Sequence, residues 1–142
     1  MVATWKQALA QRSWWANGLL AFCLYMTIVY LPFDLFYKPV ELDQEVWFGL
    51  MFTGWSAKFG GLLHWFVYAW GAYGLLHGRS WLWPWMGFYV AQVALSMLAW
   101  SVFDDRGAGL TSGLIAAAPF IALALLIHFK PNAYIKVLSH ED

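Results

Sequence analysis

Between residues 60 and 103 this chain carries one formal charge, Arg79, and between 108 and 129 it carries none. Core helices of a small soluble domain do not need apolar runs of that length. A hydrocarbon layer about 30 Å thick does, at roughly 20 residues per crossing. The sequence therefore predicts an all-α integral membrane protein. Composition agrees: 62% of the residues are hydrophobic and only 11% are charged, against about 25% charged in soluble domains. The formal net charge is zero, so nothing points to nucleic acid. With 142 residues there is room for one domain, and the single Cys23, inside the first apolar run, reads as a small buried thiol.

Four spans are expected, over about 14–31, 59–76, 82–103 and 110–129. Trp14 and Trp15 sit where an interfacial aromatic belt belongs, and Pro32 marks the end of the first span. No small-residue cleavage site follows that run, so it reads as a retained helix. The last three spans are joined by short polar links, His77-Gly78-Arg79-Ser80 and Asp104-Asp105-Arg106-Gly107. Such links make neighbours antiparallel, which predicts an up-down-up-down four-helix transmembrane bundle. The segment 45–58 is apolar but too short to cross, and reads as an interfacial helix anchored by Trp47 and Trp55.

Lys6, Arg12, Arg79, Lys130 and Lys136 fall on one side of this arrangement; Lys38, Lys58 and Arg106 fall on the other. The positive-inside rule then places both termini in the cytoplasm. Short loops suit a bacterial inner membrane. Small residues repeat at Gly109, Gly113 and Ala117, a spacing that lets helix backbones approach closely. This serves either packing within the bundle or a homodimer face.

Ionisable groups at membrane depth are costly, which makes each one a functional candidate. His64, one turn into the second span beside Trp65 and Tyr68, is the strongest, as a proton donor and acceptor or as a histidine satisfied by a neighbouring helix. Asp34 follows Pro32 and either is an exposed helix-end acid or points into the bundle mouth. Gln92 lies midway along the third span, three residues after Tyr89, where an amide bonds between helices or orients a ligand. Pro119 interrupts the fourth span and opens local space. No pair of side chains has metal-ligand spacing, so no metal site and no particular cofactor is assigned.

These residues point to an aromatic pocket for a hydrophobic molecule. His64 and Asp34 would carry any chemistry, and Tyr68, Tyr89, Gln92, Trp65 and Pro119 would bind. The other reading is a small accessory subunit of a larger respiratory or photosynthetic membrane complex, packing lipid, quinone or pigment.

The run Ala72-Tyr73-Gly74-Leu75-Leu76-His77-Gly78 with Trp83, Pro84 and Tyr89, then Phe103-Asp104-Asp105, Ala118-Pro119-Phe120 and Phe129-Lys130-Pro131-Asn132-Ala133-Tyr134, resembles the EXPERA-domain membrane proteins. That family includes the sigma-two receptor and the emopamil-binding sterol isomerase. The resemblance implies four spans and a sterol-like or isoprenoid ligand, with Asp34 as the ligand-facing acid. The family also keeps a glutamate in its second helix. Here that position falls near Gly60, and His64 is the ionisable group one turn on.

Overall fold

The computed structural model describes residues 9–135. Helix α1, Trp14–Tyr25, runs without a break through a π-helical turn, Met26–Tyr30, into α2, Leu31–Phe36. The first helix therefore passes Pro32 instead of ending before it. The wider turn explains how. The Leu31 N–H bonds the Met26 carbonyl, five residues back. Continuing that register, Pro32 would have to serve the Thr27 carbonyl, but proline has no N–H. The Trp65 indole takes its place and donates to the Thr27 carbonyl at 2.8 Å. Trp65 is thus a stitch between helices. Trp65→Phe leaves that carbonyl unpaired and is expected to cost about 1–3 kcal/mol. Thermal unfolding in detergent checks this against Trp55→Phe, at a residue 78% exposed.

The expected interfacial helix over 45–58 is absent, and a β-hairpin stands in its place. Strands β1, Gln44–Trp47, and β2, Leu50–Thr53, pair antiparallel from Gln44↔Thr53 to Trp47↔Leu50. Phe48 and Gly49 form the turn with φ of 51° and 82°, the left-handed pair whose twist suits a two-residue hairpin. Gly49 also meets a neighbouring helix, since a Cβ there would lie 2.5 Å from that of Ala99. A short apolar run with a central glycine looks alike as helix or hairpin by periodicity. Docking decides between them. Trp47 is half-buried, stacked against the ring of His64.

Helix α3, Trp55–Leu76, starts four residues before the expected 59 and is followed by α4, Leu82–Phe103, α5, Gly109–Phe129, and a short α6, Asn132–Ile135. Among the described residues, three stretches are long and apolar enough to cross a membrane: Trp14–Phe36, α4 and α5. The sequence led to four spans of that kind. Helix α3 has the length, but Lys58, His64, four glycines and several Trp and Tyr side chains lower its hydropathy.

At one end of the molecule Arg12 donates to the Leu76 carbonyl, Ser13 N–H to that of Ala133, and Trp83 Nε1 to that of His128. At the other end Arg106 donates to Gln44 Oε1, tying the α4–α5 connection to the hairpin. Helices α4 and α5 pack along their lengths, whereas α3 and α4 meet only sparsely. Of the small residues on α5, Gly113 packs against Ser101 and Leu98 of α4 and Ala117 is buried, whereas Gly109 is exposed. The sparse α3–α4 contact leaves a crevice.

Candidate functional site

Two cavities of about 290 Å³ each lie side by side, one between α1, α3, α4 and α5, the other between the π-helical turn, the start of α2, β1, α3 and α4. One is apolar, with Leu19, Phe22, Trp70, Trp85 and Phe120 in its wall. The other holds the polar groups: Glu45 from β1, His64 from α3, and Gln92 and Ser96 from α4. Tyr68, Tyr89 and Val93 belong to both walls, so the cavities adjoin.

The polar cavity is built by helical spacing on two helices and by the hairpin on the third side. His64 and Tyr68 are four residues apart on α3, and Tyr89, Gln92 and Ser96 follow at i, i+3 and i+7 on α4. The rings of Tyr68 and Tyr89 meet edge-on at 5.9 Å, and Tyr89 stands edge-on to His64 at 6.0 Å. Gln92 Nε2 donates to Ser96 Oγ at 2.7 Å, and Gln92 Oε1 is buried without a hydrogen-bond partner.

The hairpin brings a carboxylate to His64 that no nearby residue in sequence supplies. Glu45 Oε1 pairs with His64 Nδ1. Trp47 stacks on the other side, with its ring centroid 4.0 Å from that of His64 and the planes 16° apart. Gly60 makes this docking possible, because a Cβ there would stand 2.7 Å from Trp47 Nε1 and 3.1 Å from Glu45 Cγ. A carboxylate at Nδ1 holds the proton on that nitrogen and fixes the ring plane. Nε2 is then the nitrogen left to face a ligand.

Asp34 stands elsewhere. Its Oδ1 lies 3.1 Å from Lys38 Nζ; Lys38 reaches Asp43 at 2.8 Å and Lys58 reaches Asp43 at 3.1 Å. Lys58 also donates to the backbone carbonyls of Asp34 and Lys38. Two acids and two lysines thus join the end of α2, the hairpin root and the first turn of α3. Burial pushes the Asp43 carboxyl up, but hydrogen bonds from Lys38 and Lys58 outweigh it and hold it below the usual range. The same bond, donated to Asp43, raises the Lys38 ammonium.

The structure therefore brings His64, Tyr68, Tyr89 and Gln92 to one cavity. Asp34, Trp65 and Pro119 line neither cavity: Asp34 belongs to the ion cluster, Trp65 bonds Thr27, and Pro119 is exposed, with the adjacent Phe120 turned inward. Outside the cavities, Asn17 donates to the Leu9 carbonyl and Thr27 to that of Cys23. Sequence reasoning missed Glu45, Trp47 and Ser96. The i+7 spacing from Tyr89 could have found Ser96; nothing local marks Glu45. Comparison with protein-family models, with curated proteins and with solved structures finds no match for the chain.

Proposed function

We propose that this chain is a membrane-embedded binder, or isomerase, of a hydrophobic isoprenoid- or sterol-like molecule. The observation that carries the reading is the junction of the two cavities at Tyr68, Tyr89 and Val93. An apolar body fits the first cavity while a polar end reaches Glu45, His64 and Gln92 in the second. Pockets of this kind, apolar with a few convergent polar groups, suit small amphiphiles. The EXPERA resemblance favours the same ligand class. In this reading Glu45, carried by the hairpin, takes the part of the acid that the family places in its second helix. In the isomerase version, His64 would move the proton, Glu45 would steady the imidazolium, and the aromatic faces would steady a carbocation.

The reading includes α3 as a fourth crossing, lined by its aromatic residues, with both termini in the cytoplasm of a bacterial cell. The five-to-three bias in Lys and Arg supports that side.

The test is purification of the intact chain in mild detergent, with mass spectrometry of everything that accompanies it. The expected result is a monomer or dimer holding one stoichiometric apolar molecule. Val93→Trp, which fills the junction, should lose that molecule and keep its thermal melting. If the chain instead emerges only with larger membrane subunits, the accessory-subunit reading replaces this one. For the isomerase version, His64→Ala should abolish turnover of that molecule while the fold persists. Unchanged turnover removes His64 from the chemistry.

A further inference from the structure

Where helix α1 begins, a buried cation lacks a counter-charge. Arg12 is only 6% exposed. Its Nη2 donates to the Leu76 carbonyl, at the last residue of α3, over 3.3 Å. Nε and Nη1 are buried without a hydrogen-bond partner. Those two nitrogens carry most of the N–H donors of a guanidinium. One carbonyl caps a helix end but does not neutralise a charge, and buried charges are ordinarily paired. Burial pushes the Arg12 guanidinium down from its ordinary value. The next residue adds a second orphan. Ser13 stands at the N-cap of α1 without making a side-chain cap bond, and its Oγ is buried and unpartnered.

The described acids lie at the opposite end of the molecule. Asp34, Glu41, Asp43 and Glu45 fall between α2 and the hairpin, and Asp104 and Asp105 in the α4–α5 connection. The end that holds Arg12 carries Arg79 and Lys130, both exposed, and no acid among the described residues. Its depth is marked by indoles. Trp14 in the first turn of α1 is 85% exposed, and Trp85 in the first turn of α4 is 69% exposed. Exposed tryptophans at the starts of spanning helices belong at headgroup level.

We infer that Arg12 and Ser13 hold the phosphate of an anionic membrane lipid; this rests on the chain crossing a membrane and not on the ligand pocket. Phosphate oxygens accept charge-assisted bonds from a guanidinium and a bond from a hydroxyl. The positive end of the α1 dipole favours the same anion. Arg79 and Lys130 favour lipids with a net negative charge over zwitterionic ones. Inorganic phosphate offers the same oxygens but no acyl chains to hold it at this depth. Binding displaces the side chains that shield Nε and Nη1 and supplies the missing counter-charge.

The experiment gives the intact chain in mild detergent equal amounts of phosphatidylglycerol and phosphatidylcholine, and counts retained lipid by native mass spectrometry. One phosphatidylglycerol should be held with a preference of about tenfold or more, the equivalent of one charge-assisted hydrogen bond. Arg12→Gln should lose that preference. Arg79→Gln with Lys130→Gln, which removes only exposed cations, should keep most of it, and Val93→Trp should leave it unchanged. Arg12→Lys serves if the glutamine variant does not fold; it keeps the charge, loses the planar fork, and should weaken the preference severalfold. Equal retention of the two lipids by the unmodified chain, or an unchanged preference in a folded Arg12 variant, overturns the inference. Loss of the preference in the Arg79 and Lys130 variant overturns it in favour of diffuse surface attraction. Displacement of the lipid by an equal amount of inorganic phosphate overturns the lipid assignment. Glu141 and Asp142 lie outside the described residues. A preference that is absent from the unmodified chain and gained on Glu141→Gln with Asp142→Asn gives Arg12 to the chain's own acids instead.

Discussion

Asp43→Ala should unfold this protein at a far lower temperature than any surface substitution, with a loss of about 3–5 kcal/mol. Asp43 is 1% exposed and holds Lys38 and Lys58 at 2.8 and 3.1 Å. Without it, Lys38 keeps Asp34, but Lys58, itself only 8% exposed, keeps only two backbone carbonyls. A buried ammonium without a counter-charge is among the costliest defects a single substitution creates. Thermal unfolding in detergent measures the loss. Adding Lys58→Met to Asp43→Ala should recover part of it, because the stranded charge is then gone. A double variant no more stable than Asp43→Ala would show that the cluster matters through packing alone. The pH dependence has a definite sign. The folded-state Asp43 carboxyl titrates below its ordinary value. Its contribution is therefore complete above about pH 4–5, where the unfolded carboxyl is ionised, and falls away as pH drops through the depressed folded value.

Gly113→Leu should be the second large effect, at about 3 kcal/mol, near the upper end of the overpacking range. A Cβ at position 113 would stand 2.9 Å from that of Ser101 and 3.1 Å from Leu98 Cδ1, so even alanine displaces α5 from α4. Inside a bilayer this matters more than the contact area implies. Lipid chains are as apolar as leucine, so close packing replaces hydrophobic expulsion as the force between helices. The same seam holds the hydrogen bond from Ser101 Oγ to the Gly109 carbonyl, 2.9 Å, which the separation would strain. Stability of the variant in detergent, set against Gly18→Leu at a glycine with open space around it, isolates the seam from any general effect of losing glycine.

Much of the candidate site's geometry was legible where one helix carries it. His64 with Tyr68, and Tyr89 with Gln92, stand at spacings of four and three residues on apolar helices, and the structure turns each pair to the same cavity. Residues whose role depends on a partner far along the chain were not legible. Asp34 at the end of an apolar run looks like a ligand-facing acid until Lys38 and the lysine of α3 close around it. Trp65 beside His64 looks like a pocket wall until a proline 33 positions earlier in the chain leaves a carbonyl for it to serve.

What the residues determine unaided is the solvent and the long helices. A run without charges has no lower free energy than as a helix in lipid, where every backbone group bonds within its own segment and no partner is needed. Tertiary contact decides the rest. Residues 44–53 are too short to state a period, and they become a hairpin because Trp47 finds the gap over Gly60 and Gly49 finds Ala99. That docking carries Glu45 across 19 positions of sequence to His64. A charge pair formed between elements leaves no trace in the spacing of either one, since Coulomb attraction depends on distance in space and not on distance along the chain.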